Sequence, residues 1–351
     1  MTDRVPPEIE RVLRLLTVWP ADQSRWIRLC RAVAVETRHA HPDWPPLTDQ
    51  QVLSHVKRLL PRIRGLVLGL PDKAAGPRYP LTTRPKPEEP SMSVRNIARE
   101  RLEKGQLSLG VGVRMTRSVE IAPAMAAAGF DWLFLDMEHG TMSLDACAQI
   151  ATAALDAGIT PIARVPNGQY SMATRVLDNG VLGIVMPHVD TAEEAAEVVE
   201  KLKYPPIGHR SMGGVGPHYG LRNASVGDAA KALNAANLTV VMLETPKAID
   251  NAEAIAAVPG VDVLLIGTND LCAEMGIHGQ FGDARVSEAY GKVIAACAKH
   301  GKFPGMGGVY SEDLMPRYID MGARFILSGQ DANFLMAAAS ARTGFLRKVH
   351  A

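Results

Sequence analysis

Eight short apolar runs, separated by longer Ala-rich amphipathic stretches, occupy residues 107 to 329, and this alternation restricts the fold more than any other feature. The runs are LSLGVGVRM (107–115), DWLFLDM (131–137), TPIARVP (160–166), GIVMPHV (183–189), TVVMLET (239–245), VDVLLIG (261–267), FPGMGGV (303–309) and ARFILSG (323–329). Between them lie SVEIAPAMAAAG, LDACAQIATAALDAG, TAEEAAEVVEKLKY and SEAYGKVIAACAKHG, several ending in Gly, which commonly closes a helix. Strands that are apolar throughout and alternate with helices form a parallel sheet covered by those helices. Eight such units in about 250 residues predict an α/β fold, the (β/α)8 TIM barrel. An open doubly wound sheet is the competitor, but no GxGxxG follows an early strand.

The barrel does not account for the whole chain of 351 residues. PDKAAGPRYPLTTRPKPEEPS (71–91) is crowded with proline and charge and has no hydrophobic period, so it reads as a linker. Before it, EIERVLRLLTVW and QQVLSHVKRLLPRIRGLVLGL repeat apolar residues at helical spacing. The expected organisation is a helical N-terminal extension over 1–70, the linker over 71–91 and the barrel over 92–351. Residues 1–90 carry 15 Lys and Arg against 10 Asp and Glu, yet the whole chain has a formal net charge of only +1. Such a balance offers no large basic field for nucleic acid. Cys30, Cys147, Cys272 and Cys297 are widely spaced without a CxxC pair, which suits a reducing compartment and gives no zinc framework. No apolar run approaches the ~20 residues that span a bilayer. A cytoplasmic protein without a membrane or nucleic-acid partner is the expectation.

In this barrel class, chemistry sits at the C-terminal ends of the strands. The second run ends in Asp136, Glu138 and His139; the third carries Arg164; the fourth ends near His188 and Asp190. The fifth ends in Glu244 and Thr245, and the sixth runs into GTNDL, which places Asp270 in the following loop. Carboxylates on successive strands, roughly 4.8 Å apart, suit a shared hard divalent ion such as Mg²⁺, Mn²⁺ or Co²⁺. The alternative is that Asp270 caps a helix and Glu244 makes a salt bridge. Arg164 interrupts an apolar strand, so it is either paired at the mouth or holds an anionic ligand. His139 is the candidate general base, with a neighbouring carboxylate to orient it. None of the eight runs contains lysine, the residue a Schiff-base aldolase requires near a strand end. Carbanion chemistry here therefore calls for a metal. The Gly-rich segment KYPPIGHRSMGGVGPHYGLRN (203–223), with His209, Arg210 and His218, is expected to cover the mouth.

DWLFLDMEHG, PIARVPNG, VLDNGVLGIVMPHVDTAEEA, KYPPIGHRSMGG, MLETPKAIDN and IGTNDL occur in that order. Together they resemble the HpcH/HpaI aldolases, metal-dependent pyruvate aldolases, over about residues 93–345. The resemblance implies a homo-oligomeric barrel, a hexamer built as a trimer of dimers with a swapped last helix. It implies that Glu244 and Asp270 bind the metal, that Arg164 contacts the pyruvate keto oxygen, and that His139 with Asp136 transfers protons. It places Asp178 against the histidine of a neighbouring subunit. Backbone groups at Gly267, continuing into Thr268 and Asn269, would hold the pyruvate carboxylate. Met242 would border the metal where some relatives have Gln. The implied reaction is reversible cleavage of a 4-hydroxy-2-oxo acid to pyruvate and an aldehyde. The competing readings are a citrate- or malyl-CoA-type lyase acting on a thioester, and a non-catalytic barrel whose N-terminal helices bind a partner.

Overall fold

Each apolar run becomes a strand, and the eight strands close on themselves. The computed structural model describes residues 94–349 apart from 215 and 223. The expected helical extension and linker lie outside the described residues. The elements run α1 (Ile97–Glu103), β1 (Ser108–Val113), α2 (Ile121–Ala127), β2 (Trp132–Asp136), α3 (Leu144–Ala157), β3 (Thr160–Arg164), α4 (Tyr170–Asp178), β4 (Gly183–Met186) and α5 (Ala192–Leu202). They continue α6 (Val226–Ala236), β5 (Leu238–Leu243), α7 (Pro246–Asp250), α8 (Ala252–Ala256), β6 (Val263–Gly267), α9 (Thr268–Glu274) and α10 (Ala284–His300). The last are β7 (Phe303–Gly307), α11 (Met315–Met321), β8 (Phe325–Gln330) and α12 (Asp331–Lys348). The strands are parallel and ordered β1 to β8, with β8 returning to β1 through pairs such as Ser108↔Phe325. This is the expected (β/α)8 barrel.

Alternation along each strand sends one set of side chains inward and the other against the helices. The inward set includes Trp132, Phe134, Ile162, Val185, Val240, Met242, Leu265, Phe325 and Leu327. Trp132 stacks on Phe325 with ring centroids 4.0 Å apart and fills the lower barrel. The fit depends on Gly110, since a Cβ there would lie 2.1 Å from the Trp132 ring. Apolar faces of the helices form the second, larger core outside the strands.

The helix α1 closes the N-terminal end of the barrel. Ala98 and Leu102 pack on the inner cluster, and Asn96 donates from Nδ2 to the carbonyls of Leu182 (3.0 Å) and Ala236 (2.8 Å). Nearby, Asp262 accepts from Arg99 Nη2 at 2.8 Å and faces Lys203 Nζ at 3.3 Å. Among the described residues the opposite end, where the strands finish, is left open.

The segment 203–223 corrects one expectation, because its described residues lie at the closed end and not over the mouth. Lys203 sits in the cluster just described, and His218 Nε2 donates to the carbonyl of Val181 (3.1 Å), which just precedes β4. Arg210 is buried, pairs with Asp178 (Nη2–Oδ1, 2.5 Å) and lies over the Tyr204 ring. Connections from helix to strand belong at the end where strands begin, and the position of this segment follows that rule.

Candidate active site

A cavity of about 240 Å³ opens at the strand C-termini. Asp136, His139, Arg164, Met242, Glu244, Gly267, Thr268, Asn269 and Asp270 all line it. Nine residues, from four strands and the segments that follow them, thus converge on one space. Asp178 is the exception: it ends α4 at the closed end, paired with Arg210, and does not line the cavity.

On the β2–β3 side the charges are paired. Asp136 is 1% exposed and receives Arg164 through two bonds, Nη2–Oδ2 at 2.7 Å and Nε–Oδ1 at 3.1 Å. Burial by itself would raise the Asp136 pKa, but the hydrogen bond and charge of Arg164, with the backbone N–H groups of His139 and Glu138, lower it. Arg164 is correspondingly held charged: burial works against its charge, and Asp136 and Glu138 more than offset that. Glu138 Oε2 lies 3.2 Å from Arg164 Nε and 3.7 Å from His139 Nε2. Asp136 therefore orients Arg164 and the His139 backbone (N–H to Oδ1, 3.2 Å), while Glu138 is the carboxylate beside the imidazole. The imidazole remains 54% exposed at the mouth. Arg164 Nη1 faces inward, 4.0 Å from Met242 Sδ.

On the β5–β6 side, Glu244 is 2% exposed, and its Oε2 accepts from the His188 backbone N–H at 2.8 Å. His188 adopts a left-handed backbone (φ 53), uncommon for a non-glycine residue, and its Nδ1 also lies 3.2 Å from that oxygen. The Thr245 side chain accepts from the Ala248 N–H at 3.0 Å, capping α7, and donates to Asp190 at 2.7 Å. That fixes the chain on either side of Glu244. Gly267 makes room for the carboxylate, since a Cβ there would stand 2.6 Å from Glu244 Cγ. Asp270 is in the first turn of α9, which begins directly after β6, and not in a loop as expected. The helix has no side-chain cap, so the capping reading for Asp270 does not hold. Asp270 is within hydrogen-bonding reach of Glu244; burial and then Asp270 push the Glu244 pKa up to about 8, against the His188 N–H, which lowers it.

A buried carboxylate, Glu244, with its pKa pushed up beside the solvent-exposed Asp270, is the donor set a hard cation would relieve. No group of three or more His, Cys, Asp or Glu assembles a complete metal cage among the described residues. The two carboxylates fit a divalent ion whose remaining positions are filled by water and substrate oxygens. Among the described residues no lysine lines the cavity or occupies a strand. The Thr268 hydroxyl donates to the Gly307 carbonyl (2.7 Å) and contacts the Tyr290 hydroxyl (2.9 Å). What Thr268 and Asn269 offer the cavity includes first-turn backbone N–H groups, which have no partner within their helix.

Sequence reasoning missed Asp331. Buried at the start of α12, it accepts the backbone N–H groups of Arg114 (3.1 Å), Met115 (3.1 Å) and Thr116 (2.7 Å), tying the end of β1 to the end of β8. Burial would raise its pKa, but these bonds lower it below the ordinary 3.8. A depressed carboxylate pKa contributes stability above the unfolded value, and that contribution is lost as pH falls through the folded value. Asp331→Asn is expected to cost about 1–3 kcal/mol at pH 7. Denaturant titrations from pH 7 to pH 3 should show the gap to wild type closing at the acid end. A gap independent of pH would contradict this linkage.

Comparison with known proteins supplies an independent view. Residues 116–338 match the family described as HpcH/HpaI aldolase/citrate lyase. The chain is 40% identical over 258 residues to the 4-hydroxy-4-methyl-2-oxoglutarate aldolase tasA of Hapsidospora irregularis, covering 72% of this chain and 96% of that protein. It is 34% identical over 241 residues to the 4-hydroxy-2-oxovalerate aldolase of Novosphingobium aromaticivorans, covering 68% of this chain and 89% of that protein. The crystal structure of an HpcH/HpaI aldolase from Desulfitobacterium hafniense superposes with a TM-score of 0.68 at 26% identity, covering 72% of this chain and 97% of that one.

Proposed function

The chain belongs to the HpcH/HpaI aldolase/citrate lyase family, and from that premise we propose that it is a divalent-metal-dependent aldolase cleaving a 4-hydroxy-2-oxo acid reversibly to pyruvate and a second carbonyl compound. The observation that carries this reading is the lysine-free cavity in which Glu244 and Asp270 face Arg164 and His139. The second product is an aldehyde for an aldehyde-lyase. It is a 2-oxo acid if the substrate resembles the compound in tasA's name, whose C3–C4 cleavage gives two pyruvates.

A divalent cation held by Glu244 and Asp270, such as Mg²⁺, Mn²⁺ or Co²⁺, supplies Lewis-acid stabilisation of the charge that develops on the keto oxygen. Arg164 Nη1, its other nitrogens committed to Asp136 and Glu138, provides a fixed cation for the same oxygen. The backbone N–H groups of Thr268 and Asn269 receive the pyruvate carboxylate. In cleavage, His139 takes the proton from the 4-hydroxyl, the C3–C4 bond breaks, and its electron pair moves into the enolate of pyruvate. The imidazolium so formed has Glu138 beside it. Protonation at C3 releases pyruvate.

We also infer a cytoplasmic homo-oligomer, of the hexameric kind that the family resemblance suggests, for an enzyme of small molecules. The basis for assembly is α12, where Leu335, Met336, Phe345 and Leu346 are all more than half exposed. The described cysteines, Cys147, Cys272 and Cys297, are buried free thiols, as a reducing compartment allows. No helix among the described residues is long and apolar enough to cross a membrane.

The test is pyruvate release from a panel of 4-hydroxy-2-oxo acids by the full-length protein, with Mn²⁺ or Mg²⁺ and with EDTA. Release that EDTA stops and the metals restore is expected. Thioester cleavage without pyruvate release would instead favour the CoA-lyase branch.

A further inference from the structure

The mechanism uses one arc of the cavity wall and leaves the other idle. Asp136, His139, Arg164, Glu244 and Asp270 belong to the arc from β2 to the start of α9. From the β7–β8–β1 arc the cavity is lined by Tyr310, Gln330 and Arg114. Arg114 directly follows β1, in the turn that Asp331 pins, so its backbone is fixed. Its Nη2 donates to the His139 carbonyl at 2.7 Å, and its Nε lies 3.5 Å from Asp136 Oδ2. Nη1 has no hydrogen-bond partner among the described residues, and the side chain is 40% exposed. Tyr310 and Gln330 line the same stretch of cavity wall as Arg114.

This arc therefore offers one guanidinium edge, one hydroxyl and one amide, and no anion of its own. Such a donor set matches a carboxylate, which a guanidinium binds with charge-assisted hydrogen bonds. Its place also matters. Arg114 is bonded to the residue that takes the 4-hydroxyl proton, so groups attached to C4 of the substrate come within its reach. The pyruvate carboxylate is accounted for at the far wall, by the start of α9.

We propose that Arg114, with Tyr310 and Gln330, forms the acceptor subsite and selects an acceptor that carries its own carboxylate. The preferred substrates are then 4-hydroxy-2-oxo diacids. This rests on the pyruvate-aldolase reading above, and the two fail in distinguishable ways.

The experiment measures kcat/KM for pyruvate release from 4-hydroxy-4-methyl-2-oxoglutarate, a diacid, and from 4-hydroxy-2-oxovalerate, a monoacid. The full-length enzyme with Mn²⁺ is used, as wild type, Arg114→Gln, Arg114→Lys and Tyr310→Phe. Wild type should prefer the diacid by about tenfold or more, because a site built for a charged group discriminates strongly against a substrate lacking it. Arg114→Gln should remove most of that preference, a fall of about tenfold, mainly through KM for the diacid, and Arg114→Lys should restore part of it. Tyr310→Phe should erode it less. A residue that merely braces His139 would lower both substrates by one common factor, and that result overturns the proposal. So does a wild type that prefers the monoacid, a measurement that needs no variant. Release from neither substrate under any metal removes the proposal together with the function it rests on.

Discussion

Glu244→Gln is expected to lower aldol turnover at least about a thousandfold while leaving the protein folded. Each ~1.4 kcal/mol of lost transition-state stabilisation is a factor of ten, and Lewis-acid stabilisation contributes several kcal/mol. The fold should not suffer, because the ionised carboxylate is disfavoured where it stands: burial and Asp270 push its pKa up to about 8. A carboxylate raised in the folded state reduces stability as pH rises from its unfolded value through the folded one. A neutral amide removes that penalty, so the variant free of metal should melt at or above the wild-type temperature at pH 8. Asp270→Asn should share the loss of turnover. Calorimetric titration with Mn²⁺ should show weakened binding in both variants. Wild-type metal affinity in either would sever the link between these carboxylates and the cation.

Arg164→Met should be damaging on two counts. It removes the cation facing the keto oxygen, and it leaves Asp136, 1% exposed, without its bidentate partner. Breaking a buried pair from one side costs about 3–5 kcal/mol, so a large fall in melting temperature is expected. Arg164→Lys separates the two roles. It keeps a charge near Asp136 and loses the fork that holds both Asp136 oxygens, so it should recover much of the stability. Turnover should remain about a hundredfold or more below wild type. Full activity in a stable Arg164→Lys enzyme would reduce Arg164 to a structural salt bridge.

How far these residues were legible from sequence follows from the physics of each. Apolar runs such as VDVLLIG and DWLFLD announce strands buried on both faces, and eight of them leave few topologies. The strand-end rule then brings Asp136, His139, Arg164, Glu244 and Asp270 to one mouth, because a parallel barrel aligns all strand ends. Helix onset is less visible: Asp270 falls inside α9 because the helix starts without a capping side chain, so GTNDL has no start signal. The support for Glu244 was hidden. It depends on His188 adopting a left-handed conformation, which nothing in MPHVD advertises. Asp331 was hidden too, since its partners at 114–116 are more than two hundred residues away. The placement of 203–223 was legible and misread, because its glycines suggested a lid while its position between helix and strand assigned it to the closed end.

The fate of the C3 protons of pyruvate bears most directly on whether this cavity makes an enolate with a metal and without an imine. The measurement incubates pyruvate alone with the full-length enzyme in D₂O and follows deuterium at C3 by mass spectrometry, so no knowledge of the acceptor is needed. Exchange above the buffer rate is expected with Mg²⁺ or Mn²⁺, near background with EDTA, and near background in Glu244→Gln whatever the metal. Exchange that persists in verified metal-free enzyme, or borohydride trapping of pyruvate on a lysine, would contradict the mechanism.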